Sequence, residues 1–508
     1  MSEEPVVIAH DLGTTGDKAS LHDVAGRILG VYTAPYATRF GAGGVAEQDP
    51  EDWWRAVGEA TRVLLSRAGV SPGRVLGTGL SGQMMGAVFL DEDLVSLRPS
   101  LIWADHRSTA QADRLVDAVG MEAAYAELGH RIDPTYTLSK AMWVRDREPR
   151  TWARTRHLCL AKDYVAMQMT GTLVTDHSDA SSTNAYDQGE STWSRTMLAA
   201  AEVDAGLMPP IVSSTTVVGG LTPEAAGHVG LDPGAPVVIG GGDGPMAAVG
   251  AGVVEPEDGA YACLGSSSWI SVAAPRPLLD PAMRSMTFDH VVPGHYVPTA
   301  TMQAGGACLQ WVMELFGTTP DAAGFAAALA AAGEVVAADE GLFFLPHLLG
   351  ERSPYWNPVA TGVFAGLGRH HRQPHLVRAV LEGVAFNLRT CLGAFTEGGV
   401  AVDAIDVIGG GANSDVWLQI LADAWGVPVR RRDISDEANS LGAAVTTLVG
   451  LGLADGFGMA RGLSQRVAEF VPRTAESNRR AEQHHDFLQA YSRLEPWFAR
   501  HSRGGRDA

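Results

Sequence analysis

Among the residues of this chain, Asp243 is the best placed to do chemistry. It stands in Gly240-Gly241-Gly242-Asp243-Gly244-Pro245, directly after the apolar run Pro236-Val237-Val238-Ile239 and before the helix-like start Met246-Ala247-Ala248-Val249. A carboxylate at the end of a strand and the start of a helix, flanked by residues too small to block a substrate, can accept a proton from a hydroxyl group as its oxygen attacks a γ-phosphate. The same letters suit a helix-capping aspartate.

Two further groups could hold the phosphates. Asp11-Leu12-Gly13-Thr14-Thr15-Gly16 closes an apolar run at 6–9 and opens a second strand-like stretch at 18–21. Strand, glycine turn and strand do not make a Walker-type loop, which opens a helix and ends in Gly-Lys-Ser/Thr. The turn can still offer backbone N–H groups from Gly13, hydroxyls from Thr14 and Thr15, and a carboxylate at Asp11 for a hydrated magnesium ion. A bare hairpin fits these residues too. Its partner lies about half the chain away, where Tyr261-Ala262-Cys263-Leu264 runs into Gly265-Ser266-Ser267-Ser268 and then Trp269-Ile270-Ser271-Val272. Two such turns opening two halves predict a duplicated architecture with one nucleotide held between them.

The elements that must position these groups follow the same logic. A buried strand at 404–408 runs into Gly409-Gly410-Gly411-Ala412-Asn413-Ser414, then a helical pattern that closes at Gly426 before Pro428. Gly410, Gly411 and Asn413 can lie against an adenine or ribose, while Asn413 or Ser414 alternatively serves only as the helix N-cap. Asp49, Pro50, Glu51 and Asp52 punctuate a helix start, and Trp53, Val57, Ala60 and Leu64 form its apolar stripe before Gly69. Strands and helices alternate in both halves, the pattern of α/β domains.

Composition sets outer bounds. With 508 residues, 46% of them hydrophobic, and mean hydropathy +0.02, the chain has material for two cores. A net charge of −20 argues against nucleic acid or anionic membrane as a partner. Cys159, Cys263, Cys308 and Cys391 are scattered without metal-ligand spacing, as expected of free thiols in a reducing compartment. The acidic start, with Ser2, Glu3 and Glu4, is unlike a signal peptide, and no apolar span is long enough for a membrane, so a cytoplasmic location is expected. The alanine-rich stretch at 321–339 reads as a helix without chemical interest, Arg430-Arg431-Arg432 as a solvated edge, and His370-His371 as loop surface. The tail at 475–500 carries Phe487, Leu488, Tyr491, Leu494, Trp497 and Phe498 as a docking stripe. A helix folded back on its own domain explains it, and a homodimer contact stays open.

With these residues in view, the chain resembles the FGGY carbohydrate kinases, a family of the wider actin, hexokinase and Hsp70 ATPase superfamily. Gly362-Val363-Phe364-Ala365-Gly366-Leu367 and His375-Leu376-Val377-Arg378-Ala379-Val380-Leu381-Glu382-Gly383 look like its C-terminal signature. The run at 345–354 resembles the segment before it, and Lys140-Ala141-Met142-Trp143 is similar, more loosely, to part of the N-terminal signature. The resemblance implies an α/β fold of two ribonuclease-H-like (actin-like ATPase) domains, 1–250 and 251–508, with a nucleotide and sugar cleft between them. It further implies ATP and Mg²⁺, the ion organised by Asp11, with a small sugar or polyol as acceptor.

Within the family, Ala46-Glu47-Gln48-Asp49-Pro50, Gly82-Gln83-Met84-Met85-Gly86, Ile102-Trp103-Ala104-Asp105 and Lys162-Asp163-Tyr164 are similar to xylulokinase segments. That implies a ketopentose such as D-xylulose, bounded by Gln83, Met84, Met85, Trp103, Asp105 and Asp243, although by their local sequence Trp103 can also be simple packing and Asp105 can also cap a helix from Ser108 onward. Met85 departs from the pattern, since xylulokinases usually carry a histidine there that contacts the sugar. A thioether cannot replace its hydrogen bonds, so another polyol, ketose or aldonate, such as erythritol, ribulose, gluconate or glycerol, stays open. The rival from another class is an actin- or Hsp70-like ATPase module without a small acceptor. A dinucleotide oxidoreductase is disfavoured, because no Gly-x-Gly-x-x-Gly follows the first strand.

Overall fold

The computed structural model describes residues 4–434 and 437–501; Ser2 and Glu3 of the acidic start lie outside the described residues. Two sheets carry the molecule. The first contains β1 (Val6–Leu12), β2 (Gly16–Asp23), β3 (Ile28–Pro35), β4 (Val75–Gly82), β5 (Val217–Gly220) and β6 (Pro236–Gly242), in the order β5-β6-β4-β1-β2-β3. The second contains β7 (Ala260–Leu264), β8 (Ser268–Val272), β9 (Met286–Asp289), β10 (Tyr296–Met302), β11 (Ile405–Ile408), β12 (Val429–Arg432) and β13 (Arg466–Phe470), in the order β9-β10-β8-β7-β11-β12-β13.

Their pairings match step by step. From β3 to β5 they run antiparallel, antiparallel, parallel, parallel, antiparallel, and the same series runs from β10 to β13. The duplication read from the two turns is therefore a duplication of topology: β1 and β2 correspond to β7 and β8, and β4 corresponds to β11. Parallel neighbours cannot be joined by a tight turn, so each needs a crossover segment that covers a sheet face.

The helices used below are α1 (Pro50–Ala68), α2 (Ala161–Thr170), α3 (Asp243–Gly250), α4 (Gly306–Leu315), α5 (Ala322–Gly333), α6 (Gln373–Glu397), α7 (Asp415–Trp425), α8 (Ala438–Gly450) and α9 (Thr474–Arg500). The punctuation of α1 is as the sequence predicts. The Asp49 side chain accepts from the Glu51 N–H, Pro50 opens the helix, and Gly69 ends it at φ 62°. Trp53, Val57, Ala60 and Leu64 are buried. Each such side chain contributes about 1.5–3 kcal/mol on burial if large and apolar, less for alanine.

The halves meet where α3 packs on α8. A Cβ at Gly250 would lie 1.9 Å from the Ala438 carbonyl oxygen, and one at Gly442 would lie 2.1 Å from that of Met246. Only glycine lets these backbones touch. Because Asp243 is the first residue of α3, this contact fixes the candidate base relative to both sheets. A helix-rich insertion between β4 and β5 has its own apolar core and reaches the second sheet. There the Thr287 N–H donates to the Gly129 carbonyl at 2.9 Å, and Gln188 Nε2 donates to the Thr287 carbonyl at 2.7 Å. α9 folds back on the second half, burying Phe487, Tyr491 and Phe498, with the Tyr491 ring stacked 3.5 Å from Tyr355. None of the four cysteines forms a disulfide. Among the described residues no helix is long and apolar enough to cross a membrane.

Candidate active site

A cavity of about 280 Å³ lies between the halves. One wall is apolar, formed by Met84, Met85 and Trp103 from the first half and Met286 and Phe288 from the second. The other is polar, with Asp243, Thr14, Ser267, Arg352 and Asn439. The cavity therefore brings together one residue of each turn, the candidate base, and three of the residues expected to bind a sugar.

Asp243 is held by backbone and by its surroundings. The Gly244 N–H donates to its Oδ1 at 2.8 Å. A buried chain fixes the residue before it: Gly242 N–H donates to Ser178 Oγ at 2.9 Å, Ser178 Oγ donates to Asp176 Oδ2 at 2.6 Å, and Lys162 Nζ pairs with Asp176 Oδ1 at 3.1 Å. Burial, then the nearby Asp11 charge, pushes the Asp243 carboxyl up to about 7. That value suits a group that must take a proton near neutral pH. Asp11 accepts from Ser81 Oγ at 2.8 Å and from Asn439 Nδ2 at 3.4 Å, and burial also raises its carboxyl. It stands behind Asn439 and outside the cavity lining. An oxygen ligand in this position fits a hydrated hard cation.

The first turn is braced by side chains. The Gly13 carbonyl accepts from Tyr36 Oη at 2.6 Å, and the Thr14 carbonyl from Gln48 Nε2 at 2.6 Å and Thr38 Oγ1 at 3.0 Å. Trp103 Nε1 donates to Thr14 Oγ1 at 3.0 Å, so the residue flooring the cavity also ties it to the turn. In the second turn, backbone does this work. The Gly265 carbonyl accepts from the Gly306 N–H at 2.8 Å, and the Ser266 carbonyl from the N–H groups of Gly305 at 2.8 Å and Ala307 at 3.1 Å.

A larger cavity of about 560 Å³ lies on the far side of the second turn. Gly265 and Ser266 line it with Gly410, Gly411 and Asn413, while Ser267 faces the first cavity. Leu309, Phe325 and Leu329 supply an apolar wall. A Cβ at Gly411 would lie 2.7 Å from Leu264 Cβ, so glycine is what lets this loop lie close to the turn. A slot with one apolar and one glycine-backbone wall, ending at hydroxyls, fits a nucleotide.

The structure departs from several sequence expectations. Asp105 is wholly buried and lies outside the cavity lining. Its Oδ2 accepts from the Ala46 N–H at 2.8 Å and from Arg107 Nε at 2.9 Å, within a cluster that includes Glu47 and Arg98. Gln83 also stays behind the cavity, donating to Gln48 Oε1 at 2.7 Å and to the Gly13 carbonyl at 3.3 Å. Gly13 and Thr15 line neither cavity, and Thr15 is exposed at the hairpin tip. The alanine-rich stretch is α5, whose Phe325 and Leu329 wall the larger cavity, which the composition gave no reason to expect. The arginine run is not a free edge: Arg431 Nε donates to the Ala412 carbonyl at 2.7 Å and Arg432 pairs with Asp406. His371 is buried, and both histidines face Glu340. His371 Nδ1 accepts from the Gly368 N–H at 2.9 Å, which leaves the proton of a neutral ring on Nε2 and argues against a metal ligand there.

Arg352, Asn439, Met286 and Phe288 at the first cavity, and Lys140 behind it, were not found from sequence. Lys140 Nζ donates to the Met85 and Ile102 carbonyls, each at 2.8 Å, and to that of Thr135. It thereby fixes the loops that carry Met85 and Trp103, and burial lowers its ammonium to about 7. The resemblance had drawn attention to Lys140 without giving it this task.

Residues 6–250 match the N-terminal domain model of the FGGY family of carbohydrate kinases, and residues 260–451 match its C-terminal domain model. The xylulose kinase of Escherichia coli (strain K12) is 34% identical over 437 residues, 86% of this chain and 88% of that protein. The xylulose kinase of Klebsiella pneumoniae is 34% identical over 499 residues, 96% of this chain and 99% of that protein. The crystal structure of xylulose kinase from Rhodospirillum rubrum superposes with a TM-score of 0.89 at 30% identity, covering 97% of this chain and 100% of that one.

Proposed function

The chain belongs to the FGGY family of carbohydrate kinases and is an ATP-dependent sugar kinase of the two-domain actin-like ATPase fold, and on that premise we propose that its acceptor is a ketopentose such as D-xylulose. One observation carries the site assignment: a single cavity holds Asp243 together with Thr14 of the first turn and Ser267 of the second. In this reading, Asp243 takes the proton of the acceptor hydroxyl. Thr14 of the first turn and Gly265, Ser266 and Ser267 of the second hold phosphates, and Gly410, Gly411 and Asn413 bound the nucleoside. Met84, Met85 and Trp103 shape the acceptor cavity, with Gln83 and Asp105 bracing it from behind.

Asp11 would hold the magnesium ion expected with ATP, whose charge, when bound, offsets that of the phosphates. We take residues 1–250 and 251–508 as the two domains, whose closure over the cleft would exclude water. A cytoplasmic setting would keep the four cysteines reduced.

The test is ADP release from Mg-ATP with D-xylulose, ribulose, erythritol, gluconate or glycerol as acceptor. D-xylulose should give the highest kcat/KM. Another acceptor ahead of it by about tenfold, a gap of about 1.4 kcal/mol in transition-state binding, would overturn that choice.

A further inference from the structure

Arg352 is a charged group in the reacting cavity that no role above uses. Its backbone is pinned from both sides. The neighbouring Glu351 accepts at Oε1 from the N–H groups of Gln303 at 2.8 Å and Arg352 at 3.0 Å. At Oε2 it meets His347 Nδ1 at 2.9 Å and Asn387 Nδ2 at 3.1 Å. On the other side, the Ser353 N–H donates to the Thr301 carbonyl at 3.0 Å. The side chain thus enters the cavity from a fixed base, alongside Asp243, Thr14 and Ser267.

What the guanidinium meets there is unusual for a partly buried charged group. Its Nε is shut off from solvent without a hydrogen-bond acceptor, and among the described residues no carboxylate pairs with it. The Trp103 ring lies 5.8 Å from its central carbon, which offsets part of the charge. Arg352 and Asp243 share the cavity and feel each other's charge without forming an ion pair. A guanidinium whose Nε is shut off from water and that has no carboxylate paired with it is costly to the folded protein, whereas a planar fork of N–H donors is well matched to phosphate oxygens. The Glu351 carboxylate next door is fully engaged with other donors, so it does not supply the missing charge.

We propose that Arg352 grips the γ-phosphoryl group in flight. The acceptor O–H gives its proton to Asp243, the acceptor oxygen forms the new bond to Pγ, and the bond from Pγ to the β-phosphate oxygen breaks with its electron pair leaving on ADP. Arg352 stays protonated throughout and donates to the non-bridging oxygens of Pγ. The inference rests on the phosphoryl transfer assigned above and does not depend on which sugar accepts.

The experiment compares full-length wild type with Arg352→Ala and Arg352→Lys. The first readout is kinetics with the best acceptor of the panel. The second is binding of Mg-ADP alone and of Mg-ADP with aluminium fluoride, a mimic of the transferring phosphoryl. Arg352→Ala should lower kcat by about 10²- to 10³-fold with the acceptor KM within about threefold. Added guanidine should restore at least about tenfold of the lost rate, and Arg352→Lys, which keeps the charge but loses the fork, should fall between. The aluminium fluoride complex should weaken while ADP alone binds as before. A raised acceptor KM with unchanged kcat would make Arg352 a holder of the sugar and overturn the proposal, as would unchanged aluminium fluoride binding. If Arg352→Ala does not fold, a full-rate Arg352→Lys would equally reject it. A wild type that turns over no acceptor on the panel but binds aluminium fluoride in an Arg352-dependent way would sink the acceptor class and leave Arg352's role standing.

Discussion

The two halves carry the same sheet, but they use it differently. The hairpins β1-β2 and β7-β8 occupy equivalent places, and so do β4 and β11. Beyond β4 the chain goes on to Met84 and Met85 at the smaller cavity; beyond β11 it goes on to Gly410 and Gly411 at the larger one. The supports differ as well. Tyr36, Thr38, Gln48 and Trp103 brace the first turn, each reaching it from a distant part of the chain, whereas the second turn rests on the N–H groups that open α4. Topology fixes where a ligand can sit, while side chains and glycines decide which ligand. A turn braced by side chains can be tuned one residue at a time. One laid on a helix start depends on glycine at the point of contact.

The strongest way to break this division of labour is at Asp243. Asp243→Asn should lower kcat by about 10²- to 10⁴-fold, read by ADP release, because the amide cannot take the proton. Stability should not fall. The folded state holds the Asp243 proton up to about pH 7, while an unfolded aspartate releases it near 3.8, so ionising this group costs stability as pH rises through that window. The Asn variant, measured by thermal melting at pH 8, should be at least as stable as wild type. A marked loss of Tm there would return Asp243 to a structural cap.

At the second turn, Gly306→Ala tests whether backbone contact is what matters. A Cβ there would lie 2.7 Å from the Gly265 carbonyl oxygen, so the turn or the helix must shift. A backbone displacement of this kind costs about 1–3 kcal/mol, roughly 5- to 150-fold in an equilibrium constant. The rise should appear in the KM for ATP, with the KM for the acceptor nearly constant. An equal rise in both would mean that the halves are not separable in this way.

The pH dependence sharpens the first half's side of the comparison. Asp243 acts as a base only when ionised, so kcat/KM for the acceptor should fall about tenfold per pH unit below its ionisation point. Burial and the Asp11 charge raise that point to about 7, and a cation bound at Asp11 would lower it by relieving the repulsion. A rate that does not change from pH 5 to 8 would exclude this base.

How far the sequence was legible follows the same local and distant split. The hairpins, the β6-α3 junction with Asp243, and the β11-α7 loop are each contiguous runs with glycines where the backbone turns, so their types and spacing could be read directly. Arg352, Asn439 and Phe288 come from segments far from those motifs and meet the site only through the way the halves close. Asp105 shows the reverse case. Its neighbour Arg107, two residues on, and the Ala46 N–H claim its carboxylate, a short-range competition that a reading based on family likeness did not weigh. In α5 the alanines hid the signal, because the face that walls the larger cavity has two large side chains, Phe325 and Leu329, beside Ala322 and Ala326.

The smallest effect expected is also the one that bears on specificity. Met85 is buried at φ 65°, lines the apolar wall beside Met286 and Phe288, and has its carbonyl fixed by Lys140. Its backbone is therefore set independently of the side chain, and Met85→His should place an imidazole in the same wall without moving the loop. An added hydrogen-bonding group is worth about 0.5–1.5 kcal/mol to an acceptor hydroxyl that it can reach, and it penalises an acceptor that lacks that hydroxyl. The variant should shift the ratio of kcat/KM between D-xylulose and a polyol such as erythritol by about threefold to tenfold, while the KM for ATP stays as in wild type. If the ratio does not move, the apolar wall is packing alone, and discrimination among acceptors belongs to the polar wall around Asp243.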